Sequence, residues 1–217
     1  GRTFFYEILQ KISTVPRHID EFLQRLEHLD LIQVRTLRPH LEYLFKHALI
    51  QEVAYNGLLK SERKRIHGRI GKIIEALFGE RLSEFYESLA YHFQRSGQPG
   101  EAVAYLIKAG EKSAQRYALE EAHRYFEDAY HLVRRTATRG GADTATLIGI
   151  LNKWAFVFYY RGRYRELYRL MMQHKDRAEN LAAGELQAMY YAWLGCALWH
   201  RERFHEARRY LVAAFKM

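Results

Sequence analysis

The sequence predicts a mainly α-helical chain: a small N-terminal domain of helices with one β-hairpin, followed by a stack of helix hairpins. Three observations carry this. Apolar residues recur at helical spacing over most of the 217 residues. Only Pro16, Pro39 and Pro99 interrupt them, so long helices run unbroken between the prolines. From about residue 83 onward, small residues framed by large apolar ones return at intervals, the mark of stacked hairpins.

Taken in order, residues 3–13 place apolar side chains at Phe4, Phe5, Ile8, Leu9 and Ile12, which predicts a helix. Pro16 separates it from a second helix over 18–29, whose face is Ile19, Phe22, Leu23, Leu26 and Leu29. Residues 31–35 and 41–45 alternate around Arg38-Pro39-His40, which predicts two short strands and a turn. Helices follow near 47–59 and 61–78. The pattern then changes to helices alternating with short turns, over 83–95, 99–117, 119–135, 145–161, 164–181, 185–201 and 204–216. The segment from Thr136 to Ala145 holds the only Gly-Gly pair and is the expected longer loop. The division expected is 1–80 and 81–217.

Helices approach closely only where a side chain is nearly absent. In tetratricopeptide (TPR) hairpins one small residue marks the crossing, and another follows twelve positions later on the partner helix. Three segments fit: Gly110 with Ala122, Ala155 with the misfit Leu167, and Gly195 with Ala207. Leu167 stands where a small residue is expected, so the middle hairpin is expected to be splayed. The crossings are 45 and 40 residues apart, longer than the TPR period of about 34. A rival frame through Leu89, Ala90, Phe93 and Ala102 leaves the phase of the first hairpin open.

The net charge is +9, distributed as +3 over residues 1–80 and +6 over 81–217. No block of like charges stands out, which suits solvated helix faces. A lone Cys196 excludes an intrachain disulfide and a cysteine-rich metal site. No apolar run approaches the ~20 residues that span a bilayer. No signal peptide opens the chain, which is expected to be a piece of a longer cytoplasmic protein. The sequence lacks HExxH, GxSxG and a phosphate-binding GxxxxGK[ST]. Gly68-Arg69-Ile70-Gly71-Lys72 is the nearest thing to the last, but it has the wrong spacing and sits in a helical pattern. No cofactor or metal is expected for this chain.

The order helix, helix, hairpin is that of a winged helix. The stretch Tyr43 to Leu59 (YLFKHALIQEVAYNGLL), with Arg63, His67 and Ile70, resembles the segment after the ATPase in STAND-type signalling proteins. The nearest resemblance is to bacterial predicted ATPases fused to class III adenylate/guanylate cyclases, which carry TPR-like C-terminal regions. Gly1-Arg2-Thr3-Phe4-Phe5 is similar to the start of that family's winged helix, and Leu89 to Ala122 to its first repeats. The resemblance covers most of residues 1–135. It implies an upstream ATPase domain that binds ATP or ADP in the parent protein. It also implies that His47 contacts the nucleotide β-phosphate in the full-length protein; the alternative is a partly buried structural histidine.

Counted from the crossings, the concave face of the stack is expected to present Glu111, Gln115, Asn152, Phe156, Tyr159, Met189, Cys196 and Trp199. Aromatics beside an amide suit a protein or peptide ligand. Nucleic acid is disfavoured, because the second helix and its flanks set Asp20, Glu21, Glu27 and Asp30 against Arg17 and Arg25. The expected function is therefore a non-catalytic sensor that controls an upstream ATPase or cyclase. A free-standing TPR scaffold and a DNA-binding regulator are the alternatives.

Overall fold

A computed structural model describes residues 2–137, 144–182 and 184–217. The chain divides into two compact units, Gly1–Gln98 and Pro99–Met217. In space the division falls at the turn before Pro99, because helix α5 (Tyr86–Ser96) packs back on α4 (Lys60–Leu77) in the first unit.

The first unit opens with a strand. β1 (Thr3–Phe5) precedes α1 (Tyr6–Ile12), where the spacing predicts helix from residue 3. The apolar pattern fits both periods over so short a run, and tertiary pairing decides. β1 lies antiparallel to β3 (Glu42–Phe45), which also pairs with β2 (Ile32–Thr36), giving the sheet order β1-β3-β2. Phe4 then stacks on Tyr43 with ring centroids 5.6 Å apart. With α2 (Ile19–His28), these strands enclose a core of Ile19, Leu23, Ile32 and Tyr43. The expected helix-helix-hairpin order is present, with one strand added. Next come α3 (Ala48–Asn56), α4, a 3-10 segment (Gly79–Phe85) and α5.

The two glycines inside α4 have a packing role. A Cβ on Gly71 would come within 2.6 Å of the Phe93 ring, and one on Gly68 within 3.4 Å of Ser96 Cβ. The glycines thus let α5 lie close on α4, and the resemblance of 68–72 to a phosphate loop is a by-product of helix crossing.

The second unit is helical throughout its described residues. Its helices are α6 (Pro99–Gln115), α7 (Leu119–Ala137), α8 (Thr144–Tyr160), α9 (Tyr164–Gln173), α10 (Lys175–Glu179), α11 (Glu185–Trp199) and α12 (Phe204–Phe215). The loop expected over 136–145 falls mostly on 138–143, outside the described residues; Thr136 and Ala137 extend α7, and Thr144 and Ala145 open α8. The helix expected over 164–181 is broken at His174. That residue is buried, and its Nε2 lies 2.8 Å from the Tyr130 hydroxyl. The Tyr190 hydroxyl donates to the carbonyl of Met171, and Gln187 donates to that of Ala178 at 2.8 Å, so α11 takes up backbone acceptors on both sides of the break.

Three hairpins, α6–α7, α8–α9 and α11–α12, close in one way. Tyr117, Gly162 and Glu202 adopt left-handed backbone with φ of 56°, 67° and 62°. Each ends its helix in a Schellman motif: the next residue's N–H reaches back to Ser113, Phe158 and Leu198 at 2.9, 2.9 and 3.1 Å. The crossing residues Gly110, Ala155 and Gly195 each lie seven positions before the left-handed residue, and Ala122, Leu167 and Ala207 follow on the partner helices. All six are buried. A Cβ on Gly110 would meet the Phe126 ring at 2.8 Å, and one on Gly195 would meet Leu211 at 2.7 Å. The middle pair, with Leu167 at the crossing, packs more sparsely than the other two, and α11 fills in against both α8 and α9.

Gly162 is the one glycine among the three left-handed positions. Gly162→Val is expected to cost ~1–2 kcal/mol, since a β-branched residue there is a steric outlier. A melting temperature equal to that of the unaltered chain would contradict the turn assignment.

Candidate partner-binding surface

The second unit holds the side chains that the crossings were expected to present, and it distributes them unevenly. Asn152 is buried: its Nδ2 donates to the Leu186 carbonyl at 2.9 Å, tying α8 to α11, while its Oδ1 has no partner among the described residues. Position −3 from the crossing therefore faces the neighbouring helix at Asn152. Glu111 is half-buried and ion-paired with Lys153 across α6 and α8. Gln115 is exposed, Phe156 packs on Tyr160 with centroids 4.5 Å apart, and Cys196 is half-buried, with its thiol pKa raised by burial. Met189 and Trp199 are exposed at 46% and 55%. Trp199 lies edge-on to Phe204 of α12, at 4.9 Å, and does not join the others.

Tyr159 does sit in a cluster. Its ring lies 5.8 Å from Trp193, 5.5 Å from Tyr164 and 5.5 Å from His200. Tyr164 and His200 stack face to face, 3.7 Å apart and 4° from parallel. The reason is the repeated turn. Tyr164 follows the α8–α9 turn, and His200 begins the α11–α12 turn, so adjacent hairpins bring the two rings together.

The same two turns enclose a hollow of about 680 Å³. Arg163, Arg165, Arg169 and Arg201 line it with Glu166 and Glu202. Arg163 donates to Glu166 at 2.7 Å, and the Arg201 guanidinium lies 4.7 Å from the centre of the Tyr168 ring. Among the described residues neither Arg165 nor Arg169 has an ion-pair or hydrogen-bond partner, and Arg165 and Arg169 are exposed. The hollow thus combines surplus positive charge with an aromatic wall. Arg163-x-x-Glu166 and Arg203-x-x-Glu206 follow equivalent turns and make equivalent pairs, at 2.7 and 2.6 Å. That recurrence is the signal in the sequence which marks these turns, and position-by-position reasoning about concave faces passes over it.

In the first unit, His47 precedes α3 with extended backbone (φ −117°) and is exposed, not partly buried. Its side chain makes no cap hydrogen bond. No group of His, Cys, Asp and Glu able to hold a metal occurs among the described residues, and no described helix is long and apolar enough to cross a membrane.

No family model matches the chain. Over 108 residues, half of its length, the chain is 32% identical to an uncharacterized protein of Rhizobium meliloti (strain 1021). The chain spans only 10% of that protein. Among solved structures it is similar to nearly identical TPR-like repeats described as a kinesin light chain from Podosopora anserina, at 15% identity and a TM-score of 0.35. That match covers 79% of this chain and 96% of the other. A likeness at that score says nothing about function.

Proposed function

We propose that the chain is a non-catalytic partner-binding module whose TPR-like hairpins take up an acidic stretch of a protein. The observation that carries this reading is the hollow between the α8–α9 and α11–α12 turns. Exposed Arg165 and Arg169 lack partners among the described residues, and the Tyr164–His200 stack and Tyr159 stand beside them. Guanidinium groups pair with carboxylates in bidentate geometry, and flat aromatic rings offer contact area at little entropic cost. The expected concave residues Glu111, Gln115, Phe156 and Met189 extend the surface available to such a segment.

The resemblance to STAND-type proteins supports a further role for the whole molecule, as a cytoplasmic sensor arm that controls an upstream ATPase or cyclase. Residues 1–80, within the first unit, then act as a winged-helix-like body. Exposed, uncapped His47 contacts ADP or ATP bound to that upstream domain. A free-standing TPR scaffold uses the same hollow without that control. DNA is a poor ligand for this body, because Asp20 and Glu21 open α2 and would repel phosphate.

A fluorescein-labelled Glu/Tyr peptide titrated into the chain tests the reading by anisotropy. Saturable binding is expected without ATP turnover in the same preparation. Arg165→Ala with Arg169→Ala is expected to weaken it at least about tenfold, or ~1.4 kcal/mol. A Lys/Tyr peptide that binds equally, or a double variant that binds unchanged, would overturn it.

A further inference from the structure

The first unit contains an apolar cavity of about 850 Å³ between the β1–α1–α2 layer and helices α4 and α5. Its walls include Phe4, Ile8, Leu9, Leu26, Ile66 and Ile70. Of these, only Ile8 is fully buried; the other five stay half-buried although each is a large apolar side chain in a packed domain. Such surface is ordinarily removed from water, at roughly 25 cal/mol per Å². The charged groups lie along the α4 wall, and Thr3, Ser13 and Thr14 add hydroxyls on the facing β1–α1 side. Arg65 faces Glu62 at 3.5 Å, and His92 is committed through Nδ1 to the Nδ1 of His67, 2.9 Å away. Arg69 is different. It lines the cavity, is half-buried, and has no ion-pair or hydrogen-bond partner among the described residues.

We propose that this cavity binds an amphipathic anion of the fatty-acid class, with the acyl chain along Leu9, Leu26, Ile66 and Ile70 and the carboxylate on the Arg69 guanidinium. The size lies in the ordinary range of ~300–1,000 Å³ for ligand cavities, and the chemistry is the usual one of apolar walls with a few orienting polar groups. An entirely apolar ligand leaves Arg69 desolvated and unpaired, and a cationic one is repelled by it. A carboxylate makes a bidentate, charge-assisted pair. Glu62 does not cancel the site, because Arg65 faces it one turn before Arg69. The site is independent of the arginine hollow in the second unit, so either reading survives failure of the other.

Calorimetric titration of the delipidated full chain with dodecanoate and with dodecanol tests the proposal. Dodecanoate is expected to saturate one site and to bind at least about tenfold more tightly than dodecanol, a difference of ~1.4 kcal/mol. Arg69→Gln is expected to erase that preference while leaving the melting temperature within a few degrees. Leu9→Trp is expected to fill the cavity and abolish binding of both compounds. Equal affinity for acid and alcohol, or dodecanoate binding that survives both variants, would overturn the assignment. Phosphatidylglycerol vesicles distinguish a free amphiphile from a membrane surface: cosedimentation with them, in the absence of saturable dodecanoate binding, also overturns it.

Discussion

Phe126→Ala is expected to destabilise the second unit by ~3–5 kcal/mol, the range typical of deleting a buried phenylalanine ring. Phe126 is 1% exposed and lies over Gly110, where a Cβ would approach its ring to 2.8 Å. The small residue and the ring are two halves of one contact, which yields a sharper expectation than the single loss. Gly110→Ala alone should be destabilising, because the added methyl has to displace the ring. In the Phe126→Ala background the same methyl enters vacated space, so its effect should fall to near zero or reverse. Neighbours that share a contact commonly couple by ~0.5–3 kcal/mol. Denaturant titration of the four chains measures the coupling. Additive effects would mean that α6 and α7 do not cross at Gly110.

Acid is expected to destabilise both units well above the range where carboxylates titrate. His67 is buried and held near a pKa of about 4, first by burial and then by the Arg95 charge. His92 is lowered to about 3 by burial and by His67 itself, and His174 to about 4 by burial with Arg177 and Arg134 nearby. All three are therefore neutral in the fold. Their bonding agrees: His67 and His92 face one another through Nδ1 at 2.9 Å, so one donates and the other accepts, and His174 Nε2 meets the Tyr130 hydroxyl. The unfolded chain takes up these protons first, near pH 6.5. Stability is thus complete above about 6.5 and is lost as pH falls toward 4, with a limiting slope of ~1.4 kcal/mol per pH unit for each histidine. Urea midpoints at pH 7.5 and 5 check this. His174→Gln should flatten the slope for the second unit alone. Identical midpoints at the two pH values would show that these rings are open to solvent in the fold.

Much of this architecture is legible in the sequence. Size and framing mark Gly110, Ala155 and Gly195 as crossing residues, and the structure buries all three. Leu167 is a misfit to the small-residue pattern, and its hairpin is the sparsely packed one. What escaped was whatever depends on long-range pairing. Thr3–Phe5 looks helical in isolation and becomes a strand because β3 offers it a hydrogen-bonding edge. His174 looks like the middle of a helix and becomes its end because Tyr130, 44 residues away, takes its ring. Gly71 has no visible role in the local sequence and owes its place to the Phe93 ring that lies over it. The site was less legible than the fold. Counting from the crossings puts Asn152 on the concave face, yet its amide serves the core by bonding Leu186. The arginine hollow arises from two turns 40 residues apart, and no single stretch of sequence contains it.

The account rests on residues 99–217 being hairpins that each close over a minimal side chain, and Gly195→Leu tests that most directly. Its Cβ would lie 2.7 Å from Leu211 Cγ and 3.3 Å from the Ala207 carbonyl, so the longer side chain has to push α12 off α11. Overpacking of this kind typically costs ~1–3 kcal/mol. In a stack the damage should stay with nearest neighbours. Hydrogen exchange should therefore show protection lost over residues 185–216 while residues 1–80 keep theirs. Unchanged exchange and melting temperature, or protection lost evenly along the whole chain, would contradict the hairpin register.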